Sequence, residues 1–178
     1  MGALRHISDF LKKIDYHTSK DPEIVGRRFE DHVQSLFPEK MFTLLEKTHS
    51  YDTNKERYVQ SSLDPDFVWK HNQTGDVFAV ECKYRTPGSY DELNRLVWCN
   101  NDQLNRYRSF QIKRRIPVFI IIGLEKTYRD SYGDEHSRKF MFNLPLDDAK
   151  YTAFYSSYLK KFERDYNGNF YWLDKKLY

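Results

Sequence analysis

Val25, Phe29, Val33 and Leu36 recur at intervals of three and four residues, the stripe a helix buries against a core. Asp21-Pro22 stands just ahead of them and supplies an N-cap and a proline for the first helical position, so a helix opens there. Phe42 to Thr48 reads as a strand, and a polar stretch follows to about Ser62. Two further strands, roughly Asp66 to His71 and Asp76 to Arg85, flank a turn at Thr74-Gly75. Pro87-Gly88 breaks the chain before a helical stretch from about Tyr90 to Ile112, which tolerates an interruption. Pro117 introduces Val118 to Leu124, a run expected to be buried on both faces of a sheet. A strand near Lys139 to Pro145, a helix from Asp147 to about Arg164 and a small hairpin at Asn167-Gly168 complete the expected elements. Residues 1–20 read as a helical or irregular lead-in. The order helix, three strands, helix, strand predicts an α/β fold, a central mixed sheet flanked by helices.

Composition narrows the classes. With 178 residues the chain reads as one domain, 1–178, with its recognisable core at about 22–125 and a strand, helix and tail over 126–178. At 39% hydrophobic and 31% charged residues it is neither disordered nor membranous in composition. The longest apolar run, Pro117 to Leu124, falls well short of the ~20 residues a bilayer span needs. The first residues contain no signal-like apolar run, and His6 breaks the myristoylation pattern, so the expectation is a cytoplasmic protein without a membrane partner. Cys82 and Cys99 are the two cysteines, which excludes a four-cysteine zinc or iron–sulfur site. Six histidines show no zinc-binding spacing, and no phosphate-binding glycine loop occurs.

A net charge of +3 says little, but its distribution says more. Arg106, Arg108, Lys113, Arg114 and Arg115 lie in a stretch free of acids, Gln103 to Arg115. Such a stretch either tracks phosphates or forms a solvated helix face.

The chemistry concentrates in Asp64-Pro65-Asp66 and Glu81-Cys82-Lys83. The two-residue period of a strand puts Val77, Ala79, Glu81 and Lys83 on one face and Phe78, Val80, Cys82 and Tyr84 on the other. A hairpin centred between Thr74 and Gly75 would set Asp66 opposite Lys83 and Val68 opposite Glu81. Asp66 and Glu81 would then be diagonal neighbours ~7–8 Å apart on one face, a register that a slip of one residue would destroy. Two carboxylates beside a lysine suit metal-assisted phosphodiester hydrolysis, because Mg²⁺ takes oxygen ligands and the ammonium can steady a water or a developing charge. The plainer reading is a structural ion-pair cluster at a strand end.

Pro65-Asp66 followed by Glu81-x-Lys83 resembles the PD-(D/E)xK nuclease superfamily, whose fold is called restriction-endonuclease-like. Gly26-x-x-Phe29-Glu30 on the preceding helix is similar to the family helix that lends another acid. Gln103-x-x-x-Tyr107 is similar to the Gln-x-x-x-Tyr motif of the RecB-like branch. The resemblance implies a nuclease that uses Mg²⁺, with Mn²⁺ as a substitute, and acts on DNA rather than RNA. It implies Asp66 and Glu81 as catalytic metal ligands, joined by Glu30 and the backbone carbonyl of Cys82. Lys83 would assist the nucleophilic water, and Gln103, Tyr107 and Arg106 would hold the nucleic-acid strand. A homodimer would suit cutting both strands of a duplex. Asp64 shares the strand parity of Asp66, but Asp66 directly follows the proline. Gly26 is expected to owe its place to a close approach by metal or backbone, and Cys82 to be a small core side chain. Trp98, Tyr84 and Tyr90 are core candidates before they are base-stacking ones. The alternatives are a catalytically silent nucleic-acid-binding module of the same fold and a protein-interaction domain.

Overall fold

The structure, a computed structural model, describes residues 16–48 and 64–178. Most of the lead-in and the polar stretch after Thr48, with His6 and His49, lie outside the described residues.

Helix α1 (Pro22–Ser35) begins as its sequence requires. The Asp21 side chain accepts a hydrogen bond from the Glu23 backbone N–H at 2.8 Å, and Pro22 takes the first turn, where no N–H is needed. Three antiparallel strands follow, β1 (Phe42–Lys47), β2 (Phe67–His71) and β3 (Val77–Arg85). After a short strand β4 (Leu96–Val97) comes α2 (Asn101–Arg114), which returns the chain to β5 (Val118–Arg129), parallel to β3. Then come β6 (Glu135–Pro145), β7 (Ala153–Phe154), a one-turn helix α3 (Ser156–Leu159), β8 (Glu163–Arg164), β9 (Trp172–Leu173) and β10 (Lys176–Leu177). Among the described residues the main sheet has six strands in the order β1-β2-β3-β5-β6-β8. Its single parallel pair, β3 and β5, makes it mixed, and the expected helix, three strands, helix, strand order holds.

Each face of the sheet buries its own helix. Phe29 and Val33 of α1 pack with Phe67, Val80, Cys82, Phe119 and Ile121. Leu104, Tyr107 and Phe110 of α2 pack with Val68, Ala79, Ile120 and Ile122 on the other. Covered on both faces, Val118 to Leu124 is buried throughout, as its continuous apolar run requires. Gly123 lets α1 lie close, since a Cβ there would stand 2.4 Å from the Phe29 ring. A Cβ at Gly26 would meet nothing within 4 Å, so the expected close approach at Gly26 is not what the structure shows.

Several expected elements differ, each for a physical reason. The β2–β3 hairpin pairs Phe67 with Val80 and Val68 with Ala79, two residues away from the expected register. The loop is longer than the two-residue turn assumed: the Gly75 N–H bonds the His71 carbonyl at 2.9 Å, and Gly75 closes the loop at φ +76°. Because the shift is two residues, every side chain keeps its face. The helix expected from Tyr90 starts only at Asn101. Asp91 Oδ1 accepts from the N–H groups of Leu93 and Arg95, Asn94 turns left-handed at φ 57°, and Asn100 caps α2. The helix expected over 147–164 shrinks to α3 and a 3-10 turn, because Trp98 draws the carbonyls of Tyr151 and Thr152 into an extended segment that pairs with β4. β5 and β6 run further than expected, turning at Asp130–Asp134 with Gly133 at φ +89°. The terminal hairpin joins β9 and β10 around Asp174 and Lys175, both left-handed, rather than at Asn167-Gly168. No helix among the described residues is long and apolar enough to cross a membrane.

Candidate active site

The end of β3 brings the singled-out residues together. Asp66 lies one residue before β2, half-buried, with its own carbonyl held by the Thr48 N–H at 2.9 Å. Its Oδ2 accepts the backbone N–H of Cys82 at 2.7 Å. Continuing the β2–β3 register puts Pro65 opposite Cys82, and proline has no N–H to give. The Cys82 carbonyl projects to the same side as its N–H, so it faces a partner that lacks a ladder donor.

Glu81 and Lys83 point to the α2 face of the sheet. Glu81 is 3% exposed, and its Oε1 accepts the Tyr107 hydroxyl at 2.6 Å. Lys83 Nζ forms an ion pair with that same Oε1 and sits 5.8 Å from the centre of the Tyr107 ring. Tyr107 owes this reach to α2, whose capping box fixes where the helix begins and so where its second turn points.

Negative charge is crowded here. Burial, then the carboxylates of Glu81 and Glu30, push the Asp66 carboxyl well above its ordinary range. Burial and Glu81 push Glu30 of α1 upward as well. Burial opposes the Lys83 ammonium, yet Glu81 and Asp66 outweigh it and raise the lysine's pKa, keeping it charged. Burial, followed by Asp66, raises the Cys82 thiol, which marks a small, unreactive core side chain. Burial and Glu81 raise the Tyr107 phenol, so it stays a donor.

With the Asp66 and Glu30 carboxyls both raised by the charge of Glu81 beside one lysine, a cation bound here would relieve repulsion. Among the described residues no group of three His, Cys, Asp or Glu side chains is arranged to hold a metal ion. Mg²⁺ asks for less, since it binds through one or two carboxylates and keeps several waters. Asp66, Glu81 and the Cys82 carbonyl fit that smaller donor set.

The remaining candidates fall elsewhere. Asp64 is exposed, and the charges it meets are those of Arg114, Glu46 and Lys113 rather than Glu81. Gln103 Oε1 accepts the Asn100 N–H at 3.1 Å, so that oxygen serves the helix cap. Arg106 is half-buried, with an Nε that has no hydrogen-bond partner among the described residues. Tyr107 is itself 3% exposed and engaged with Glu81, which makes it a wall of the site rather than an open surface contact. Arg108 reaches the Lys150 carbonyl, and Arg114 pairs with Glu46, so part of the basic stretch is used within the fold. Trp98 is fully buried beside Tyr107 and Phe154. His32, His71 and His136 bond to the Tyr166 carbonyl, Thr74 and Asp130 respectively, and serve the scaffold.

Two neighbours of the site escaped the sequence reading. Lys47, the last residue of β1, counters the negative charge at Glu30 and bonds Gln34 at 2.8 Å. Arg85 ties the end of β3 to the carbonyls of Tyr84, Val97 and Trp98. Its parity with Lys83 was a signal for the second; nothing local marks the first.

No family model matches the chain. A comparison with curated proteins likewise finds no match. Among solved structures, the Holliday junction resolvase Hjc of Archaeoglobus fulgidus, an archaeal hyperthermophile, is similar. The two share 14% identity and a TM-score of 0.49, over 80% of this chain and 97% of that one.

Proposed function

We propose that this chain is a metal-dependent nuclease of PD-(D/E)xK type that hydrolyses phosphodiester bonds in DNA. The observation that carries the reading is the meeting of Asp66, Glu81 and Glu30 with Lys83 where β2 and β3 separate, the carboxyls of Asp66 and Glu30 both being raised by burial and by the charge of Glu81.

In this reading Asp66, Glu81 and the Cys82 carbonyl hold Mg²⁺ or Mn²⁺, with Glu30 nearby. The ion, when bound, supplies charge to the phosphate and lowers the pKa of a water. Lys83, kept charged by Glu81 and Asp66, orients that water and offsets negative charge as it develops on the phosphate. Tyr107 fixes the orientation of Glu81 from the far side. Gln103 and Arg106, on the same helix, would hold the nucleic-acid strand, and a two-fold pair of chains would offer a site to each strand of a duplex.

The test is cleavage of labelled single-stranded DNA, duplex, branched DNA and RNA with Mg²⁺, Mn²⁺ or excess chelator. Metal-dependent cutting that disappears in Lys83→Ala and Asp66→Asn, both shown to be folded, supports the reading. Cutting by both variants at the wild-type rate overturns it.

One observation favours a second reading, a nucleic-acid-binding module without turnover: Oε1 of Glu81 already carries both Tyr107 and Lys83. That module would bind in chelator, with affinity that weakens steeply with salt.

A further inference from the structure

β5 and β6 continue beyond the core as a two-stranded ribbon, with Tyr128 54% and Tyr132 90% exposed. Strand parity identifies its two faces. Glu81 and Lys83 stand beside Ile120 and Ile122 of β5, so the face of those isoleucines is the site's own face. Following it outward along β5 leads through Leu124 to Lys126 and Tyr128, and along β6 through Phe142 and Phe140 to Arg138 and His136. Lys126 is four residues past Ile122, about 13 Å along the strand.

The two faces handle charge differently. On the far face Glu125 stands opposite Lys139, and Arg129 opposite Glu135, so each charge meets its counter-charge. That face also walls a cleft of about 920 Å³ shared with α1. On the site's face Lys126 stands directly opposite Arg138. Like charges at directly opposed positions destabilise a strand pair. Among the described residues no carboxylate pairs with either. Rings hold them instead: Phe140 lies 5.8 Å from Lys126 and 4.8 Å from Arg138, and Tyr90 lies 5.7 Å from Lys126. Asp130, at the turn, is taken up by the N–H groups of Tyr132 and Asp134 and by His136.

Two opposed, uncompensated cations on a protruding ribbon fit a polyanion. A B-form major groove admits a two-stranded β-ribbon, whereas the major groove of A-form RNA is too narrow for one. We propose that the β5–β6 ribbon grips duplex DNA, entering the major groove with Tyr132 at its tip and setting Lys126 and Arg138 against backbone phosphates. The proposal deepens the nuclease reading and rests on it for orientation, because the same duplex would reach Glu81 and Lys83 along one face.

Binding is measured by fluorescence anisotropy with a labelled DNA duplex in chelator, which separates grip from cleavage. Lys126→Gln combined with Arg138→Gln is expected to weaken binding roughly tenfold and to make the log affinity–log salt slope shallower by about 2. Lys139→Gln removes the same charge from the far face and is expected to bind as wild type, while Lys126→Gln alone does not. Wild-type affinity and slope in the double variant overturn the proposal, as does an equal loss in Lys139→Gln or an equal loss on duplex RNA. A wild-type protein that does not bind duplex DNA overturns it too. Duplex binding lost in the double variant, with no cleavage by wild type under any metal, would sink the nuclease reading and leave the grip standing.

Discussion

Tyr107 reaches across the core from α2 and donates its hydroxyl to Oε1 of Glu81 at 2.6 Å, with each residue only 3% exposed. A carboxylate that deep needs its donors. Tyr107→Phe removes one of them and is expected to cost about 1–3 kcal/mol of stability, read from thermal or denaturant unfolding. Unchanged stability would mean that Lys83 alone satisfies Glu81.

Asp66 and Glu30 carry a pH signature in metal-free protein. Burial and neighbouring carboxylates raise both above their ordinary values, so the folded state holds protons that the unfolded state releases. Their contribution therefore favours folding below the ordinary carboxylate range and is lost as pH rises through the raised values. In chelator, Asp66→Asn should gain stability over wild type as pH rises above the ordinary carboxylate range, about 4, the gain growing until the raised Asp66 carboxyl has ionised. A gain that stays flat as pH rises would mean that the carboxyl titrates normally.

Divalent cation should act on the same repulsion. A ligand that binds the folded state alone stabilises it, by about 2.7 kcal/mol at a hundred times its Kd. Mg²⁺ is expected to raise the melting temperature of wild type, with excess chelator reversing the rise. Glu81→Gln should lose most of the response, and a variant that responds fully would move the cation elsewhere.

The two glycines near α1 should answer alanine in opposite ways. At Gly123 a Cβ would stand 2.4 Å from the Phe29 ring, so Gly123→Ala forces α1 away from the sheet and is expected to cost about 1–3 kcal/mol. At Gly26, inside α1, a Cβ would meet nothing within 4 Å. Gly26→Ala should therefore stabilise by about 1 kcal/mol, the helix-propensity difference alone. Chemical denaturation of the two variants beside wild type decides both.

Much of this architecture was written locally. The Asp21-Pro22 cap, the Val25–Phe29–Val33 stripe, the alternation along β3 and the unbroken apolar run of β5 each depend on residues a few positions apart, where backbone sterics and periodic burial dominate. For the same reason the shared face of Glu81 and Lys83 could be read before any fold was known, since it rests on the two-residue period of one strand and not on the register with β2.

What depended on distant partners was not legible. Nothing near Tyr151 says that Trp98 will pull that segment straight, whereas Asp91 and Asn94, right after Tyr90, were a local turn signal that the reading passed over. Gln103-x-x-x-Tyr107 promised one helix face, but not that Tyr107 would turn inward to a buried glutamate while the Gln103 carbonyl oxygen capped its own helix. The opposed pair Lys126 and Arg138 exists only once β5 and β6 set their register through the Asp130–Asp134 turn. Local periodicity decides which way a side chain faces, but only tertiary packing decides which groups meet there. Burial then sets how strongly they interact, since removing water is what makes each charge felt.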